Sequence, residues 1–242
     1  MEVDLWWARA DLHQGWHVDL LDAAERGRRE ALRRPEDRAR FTVATATLKL
    51  VVARRYGVPA RQVAVARACP DCGRPHGAPR LPDHPLSVSI SHSGDWAVVA
   101  VATAPAVGVD VEQVVPVDLA GLGRQVLAAG EEAATPAAFF RYWTRKESVL
   151  KATGDGLRVA LTRVGVTPAD QPPRLLRYDG RPGLTAAMAD VDPADGYAAA
   201  VTVLGHRRVR VRTHDAAPLL RRARPPRPPV RTTEYPGTDW RA

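Results

Sequence analysis

Lysine is nearly missing from this 242-residue chain: Lys49, Lys146 and Lys151 are the only three among 35 basic residues, and arginine supplies the rest. Cysteine is scarcer still, with Cys69 and Cys72 alone, so no disulfide framework can be built and a reducing compartment is expected. Aromatic residues make up only 6% and fall mostly at core-like positions. That argues against a nucleic-acid binder, which needs aromatics interleaved with basic residues on exposed strands. No apolar stretch is long enough for a membrane span, and the first residues carry Glu2, Asp4 and Asp11 in place of a basic leader. A cytoplasmic protein with no membrane partner is the expectation.

With 45% hydrophobic residues the chain can bury a substantial core, as one large domain or two halves. Its net charge of +8 favours an anionic partner: nucleic acid, a phosphorylated small molecule or an acidic protein. Part of that excess lies in Arg221-Arg222-Ala223-Arg224-Pro225-Pro226-Arg227-Pro228-Pro229, a Pro/Arg tract that can build neither a core nor a regular helix. Residues 217–242 therefore read as a flexible tail.

Val3 to Ala8 reads as a first strand, and Leu20 to Arg34 has helical spacing that stops at Pro35. Pro35, Glu36 and Asp37 then start a second helix that Gly57 ends. Its apolar face is Val43, Ala46, Leu50 and Ala53, with Arg40 and Lys49 placed elsewhere. Val63 to Ala66 reads as a short strand. Leu86 to Ser91, Trp96 to Ala102 and Val107 to Val111 are predicted strands and antiparallel neighbours. Leu119 to Ala129 and Ala137 to Ala152 are predicted helices, the second started by Thr135-Pro136 and stopped by Gly154 and Gly156. Ala186 to Met188, Ala198 to Leu204 and Val209 to Arg212 are strand-like. The fold class is α+β, as two similar α/β halves, 1–104 and 105–216, before the tail.

Four constellations can carry chemistry. In Val107-Gly108-Val109-Asp110-Val111-Glu112, residues two apart share a strand face, so Asp110 and Glu112 lie side by side while Val109 and Val111 face the core. Their repulsion disappears if a divalent cation sits between them, and oxygen-only ligands favour magnesium. An amphipathic strand edge in solvent gives the same pattern. In Trp143-Thr144-Arg145-Lys146-Glu147-Ser148-Val149-Leu150-Lys151, Glu147 and Lys151 are one helical turn apart, above an apolar stripe of Phe139, Trp143 and Leu150. A surface ion pair would explain that spacing too. Two of the three lysines flank Glu147 in a chain that otherwise writes arginine, which suggests sites where a compact ammonium is needed and a planar fork will not serve.

The third constellation is Ser87-Val88-Ser89-Ile90-Ser91-His92-Ser93-Gly94, whose serines share one strand face and whose end offers hydroxyls, an imidazole and backbone N–H groups to a phosphate. Ser91 and His92 are adjacent and point to opposite sides, and no G-x-S-x-G exists, so a Ser-His hydrolase is set aside. The fourth, Cys69-Pro70-Asp71-Cys72 with His76 and His84, has four zinc-type ligands at irregular spacing. It reads better as a reduced, metal-free turn.

In this order the segments resemble the surfactin-type 4′-phosphopantetheinyl transferases, whose hallmarks appear as Ser89-Ile90-Ser91-His92-Ser93, as Gly108-Val109-Asp110-Val111-Glu112, and as Trp143-Thr144-Arg145-Lys146-Glu147-Ser148 followed by Lys151 and Gly154-Asp155-Gly156-Leu157. The resemblance spans roughly Asp37 to Leu157 and fits the long class, in which one chain forms a pseudo-dimer and acts as a monomer. It implies a coenzyme A site between the halves and magnesium at Asp110, Glu112 and Glu147. Arg40, and His92 with Ser91, would contact the 3′-phosphoadenosine part; Lys151 would contact the pyrophosphate and Lys146 would support that environment. The implied reaction moves 4′-phosphopantetheine from coenzyme A to a serine of an apo acyl or peptidyl carrier protein and releases 3′,5′-ADP. Glu147 would act as base, directly or through water, and Lys151 would stabilise or protonate the leaving oxygen. The carrier would dock near Val114-Val115-Pro116-Val117. Where the family often has Gly-Lys-Pro this chain has Gly77-Ala78-Pro79, so a phosphate contact is missing unless Arg74 or Arg80 reaches the place. A non-catalytic coenzyme A-binding module and a basic nucleic-acid-binding protein are the alternatives.

Overall fold

The computed structural model describes residues 1–69, 71–74 and 77–221. Strand β1 (Glu2–Arg9) is followed by helices α1 (Ala23–Ala31) and α2 (Pro35–Tyr56), then by β2 (Ser87–Ser93), β3 (Trp96–Ala102) and β4 (Val107–Gln113). Helices α3 (Leu119–Val126) and α4 (Pro136–Thr153) come next, then β5 (Val164–Val166), β6 (Leu175–Tyr178), β7 (Ala186–Asp190), β8 (Tyr197–Leu204), β9 (Arg210–Asp215) and α5 (Ala217–Leu220). The α+β class is as expected.

Local chemistry sets the helix ends. Asp22 and Glu25 cap each other's backbone N–H groups at the start of α1. Pro35 occupies the first turn of α2, and Gly57 closes it at φ 69°, a left-handed conformation that costs glycine nothing. Thr135 accepts the Ala138 N–H to cap α4. The helix expected over 20–34 is shorter, because Gly15–Leu20 winds as a 3-10 segment. The strand expected at 63–66 reduces to one bridge, Ala66 with Arg80.

Three sheets form, ordered β2-β3-β1-β9, β4-β8-β7 and β5-β6. β2 and β3 are antiparallel neighbours as expected, with Ile90 opposite Val99. β4 is not in their ladder; it pairs with β8, Val109 opposite Val201. It still runs beside β2, because serine hydroxyls do there what a backbone ladder does elsewhere. Ser89 Oγ accepts the Val109 N–H at 3.0 Å and Ser93 Oγ accepts the Gln113 N–H at 3.1 Å.

The two larger sheets face each other across Val3, Leu5, Val98, Val109, Val111 and Val201, all fully buried. α2 covers the outer face of the first through Leu48 and Val52 against Val99 and Val101, and α4 packs on β4 and β8. Lys49, expected off the apolar face of α2, is buried: its Nζ lies 2.9 Å from Glu25 Oε2 and 3.0 Å from the Val63 carbonyl. α2 is enclosed on several sides, by α1, α5 and the sheet. A polar residue there needs a partner inside the protein.

Within the expected second half, 105–216, the last strand leaves its own sheet: β9 runs parallel to β1, Val211 opposite Val3. The chain remains folded past residue 217, since Leu219 and Leu220 are buried and the Leu220 carbonyl meets His17 Nε2 at 3.0 Å. Residues 222–242, most of the expected tail, lie outside the described residues. Among the described residues no helix is long and apolar enough to cross a membrane.

Candidate active site

Period-two alternation on β4 buries Val109 and Val111 and turns Gly108, Asp110 and Glu112 to the opposite face. α4 lies directly on that face. A Cβ at Gly108 would stand 2.0 Å from the Ser148 carbonyl oxygen and 2.4 Å from the Ala152 nitrogen, so only glycine permits the approach. It brings Glu147 and Lys151, one turn apart on α4, against the β4 carboxylates. Lys151 Nζ lies 2.6 Å from Asp110 Oδ1 and 2.9 Å from Ser91 Oγ, and Ser91 Oγ donates to the same Asp110 oxygen at 2.8 Å. Ser93 Oγ donates to Glu112 Oε2 at 2.7 Å.

Ser91, Asp110, Glu112, Glu147 and Lys151 line a cavity of about 380 Å³ together with His92 of β2, Thr45 and Phe41 of α2, Arg28 of α1 and Arg67. A second cavity of about 590 Å³ shares Arg67, Ile90, Glu147 and Lys151 with the first and runs along Gly77, Ala78 and Pro79. Burial, and then the charge of Asp110, push the Glu112 carboxyl up to about 7. The same two causes raise Glu147, with Lys151 opposing them. His92 is held below its ordinary range by burial, then by Lys151 and Arg40, so the imidazole is neutral at pH 7. Asp110 Oδ2 and Glu147 Oε1 are buried without a hydrogen-bond partner. Among the described residues no three His, Cys, Asp or Glu side chains are close-set enough to hold a metal as they stand.

Residues 106–202, from β4 through β8, match a family model described as the 4′-phosphopantetheinyl transferase superfamily. The 4′-phosphopantetheinyl transferase HetI of Nostoc sp. strain PCC 7120 is 30% identical over 217 residues, which cover 84% of this chain and 88% of that protein. The chain belongs to the 4′-phosphopantetheinyl transferase family. The transferase Sfp of Bacillus subtilis strain 168 is 28% identical over 151 residues, 57% of this chain and 64% of Sfp. Psf-1 of Bacillus pumilus is 41% identical over 81 residues, 31% of this chain and 34% of its own length.

Of the residues singled out in the sequence of this transferase, Asp110, Glu112, Glu147, Lys151, Ser91 and His92 all reach the one cavity. Arg40 does not line it. Its guanidinium donates to the Gly94 carbonyl at 2.8 Å and to Asp37 at 2.5 Å, close enough to His92 for its charge to be felt there. Lys146 is not brought to the cleft, which corrects the expectation of a phosphate-supporting role. Its position, one residue before Glu147, turns it about 100° round the helix. Its buried ammonium meets Glu131 Oε2 at 2.5 Å and the Val126 and Leu161 carbonyls at 2.7 and 3.3 Å. Nor is the serine row a phosphate cradle as a whole. Ser87, Ser89 and Ser93 serve the Ala104 carbonyl, β4's backbone and Glu112, and Ser91 alone lines the 380 Å³ cavity.

Two lining residues of the transferase cleft, Arg28 and Arg67, went unnoticed in the sequence. No spacing marks them out among so many arginines; only the folded ribbon after α2 places Arg67 there. Arg74 and Arg80 are exposed, and neither lines either cavity. Of the zinc-type ligands, His84 stacks on Tyr56 with ring centres 4.3 Å apart, Cys69 Sγ reaches Asp71 at 4.0 Å, and His76 lies outside the described residues.

Proposed function

We propose that this transferase moves 4′-phosphopantetheine from coenzyme A to a serine hydroxyl of an apo acyl or peptidyl carrier protein, with magnesium, and releases 3′,5′-ADP. The observation that carries the reading is the meeting of Asp110, Glu112 and Glu147 with Lys151 in one cleft whose remaining charged groups are arginines. In this reading the cleft lies between two related halves, α2 on the first sheet and α4 on the second, in a chain that acts as a monomer.

The donor set suits magnesium, since it is all oxygen and two buried carboxylate oxygens, Asp110 Oδ2 and Glu147 Oε1, lack partners. Asp110, Glu112 and Glu147 would hold the ion, which when bound supplies positive charge to a pyrophosphate. Glu147, raised by burial and by Asp110, accepts the proton of the carrier serine. The serine oxygen then bonds to the phosphorus bearing pantetheine, and the bond from that phosphorus to the bridging oxygen breaks. Lys151 donates to the leaving oxygen of 3′,5′-ADP. Ser91 and neutral His92 face the donor nucleotide. The carrier docks beside the end of β4, where Val115 is an exposed apolar side chain. Coenzyme A and most carrier domains are anionic, which suits a chain of net charge +8.

The direct test mixes the protein with coenzyme A, magnesium and apo carrier domains of fatty-acid, polyketide and peptide type, and weighs the carriers by mass spectrometry. A phosphopantetheine adduct on at least one supports the reading; no adduct on any overturns it.

A further inference from the structure

Serines on β2 and carboxylates on β4 recur with the same period of two, and the two strands run side by side. The rows therefore meet one to one: Ser91 Oγ donates to Asp110 Oδ1 at 2.8 Å and Ser93 Oγ to Glu112 Oε2 at 2.7 Å. Each contact engages one oxygen of a carboxylate. Asp110 is left with Oδ2, buried and unpartnered, and Glu112 with Oε1, which has no hydrogen-bond partner among the described residues. Lys151 secures Asp110 from a second side at 2.6 Å. Glu112 has no such support: among the described residues Ser93 is the one hydrogen-bond partner of its carboxylate.

The Ser93 hydroxyl is itself fixed. Its single proton goes to Glu112, and its oxygen accepts the Gln113 N–H at 3.1 Å. The turn that follows is held from two sides, since Arg40 of α2 donates to the Gly94 carbonyl at 2.8 Å and the Asp95 N–H donates to Tyr197 Oη of β8 at 3.0 Å. Tyr197 stands opposite Gln113 at the end of the β4-β8 ladder, and a Cβ at Gly94 would collide with its hydroxyl. Glycine, here at φ 53°, lets the turn seat that closely. A hydroxyl carried by the first sheet is thereby locked onto a carboxylate carried by the second.

A glutamate side chain ordered before an ion arrives loses less rotamer freedom on binding it, and magnesium demands near-ideal placing of its oxygen ligands. We propose that Ser93 is a positioning residue for the metal site, which by holding Oε2 leaves Oε1 of Glu112 set for the ion. The inference rests on the function proposed above, in which Glu112 is one of three carboxylates that would hold magnesium.

The test is manganese uptake by the metal-free full chain with coenzyme A present, read from the electron paramagnetic resonance signal of the free ion, with uptake by coenzyme A alone subtracted. Urea unfolding of each variant is measured alongside. Ser93→Ala should weaken manganese on the order of 10- to 100-fold, the usual effect of removing a group that orients a metal ligand. Ser93→Thr keeps the hydroxyl on a side chain that suits a strand and should stay within about threefold of wild type. Ser89→Ala removes a neighbouring hydroxyl that bridges the same two strands but touches no carboxylate; it should lower unfolding stability and move manganese affinity by less than about threefold. The assignment is overturned if Ser93→Ala binds manganese as wild type does, or if Ser93→Thr or Ser89→Ala loses as much as Ser93→Ala. If the wild-type chain takes up no manganese, the magnesium reading itself fails, and this inference with it.

Discussion

Lys146 and Lys151 both flank Glu147, yet one is enclosed among carbonyls and the other faces the cleft. The two lysines that stand out in the sequence thus occupy different surroundings. At 146 a compact ammonium fits a closed space beside Glu131, whereas Arg145 next to it spends its wide fork on both oxygens of Asp190 and on the Thr167, Pro168 and Gln171 carbonyls. Lys146→Ala should cost about 3–5 kcal/mol in urea unfolding, because it leaves the Glu131 carboxylate buried and unpaired. Lys151→Arg should leave unfolding nearly unchanged and slow single-turnover transfer by at least about tenfold, since a fork cannot sit on Asp110 Oδ1 and Ser91 Oγ as the ammonium does. Glu112 gives a pH signature. With its pKa at about 7, the folded protein holds this proton more tightly than the unfolded chain, so the group's contribution to stability is complete below 4.5 and is lost as pH rises through about 7. In metal-free protein the Tm advantage of wild type over Glu112→Gln should therefore shrink between pH 4.5 and 7. An advantage that grows over that window would show the carboxyl to be unperturbed or depressed.

Elements were more legible than their partners. The apolar run of Trp96 to Ala102 and the caps of α2 and α4 lie in adjacent residues, and those spans were read to within a residue or two. Which strand lies beside which depends on contacts far apart in sequence, so β4 was assigned to the wrong ladder. The serines of β2 carry the reason. Each hydroxyl can serve a neighbouring backbone in place of a ladder bond, and alternation alone does not tell that use from a phosphate site. Ser89→Ala should cost about 1–3 kcal/mol by leaving the buried Val109 N–H without an acceptor, measured by denaturant unfolding. Gly108→Ala should act on both stability and transfer, because the new methyl must push α4, with Glu147 and Lys151, off the β4 carboxylates.

At the scale of the molecule, the cleft's acidic side was legible because its residues sit in short ordered segments, while Arg28 and Arg67 reach it only through tertiary folding. The expected tail shows the same limit. Compositional bias describes residues from 221 onward, but Leu219 and Leu220 just before them are part of the core. A chain ending at Ala216 should be less stable than one ending at Arg221 by about 3–6 kcal/mol, the worth of two buried leucines, with loss of the contact to His17 in addition.

The parallel pairing of β9 with β1 has a consequence in time. Met1 and Arg208, hydrogen-bonded at the head of that seam, are 207 residues apart. During synthesis β1 leaves the ribosome with this flank bare, and its partner there, β9, is the last strand among the described residues. Closing so long a loop is slow, and an unpaired strand edge can recruit another chain meanwhile. A product that stops before β9 leaves that flank of β1 open, and in the folded chain β9 covers it and becomes the edge of the sheet.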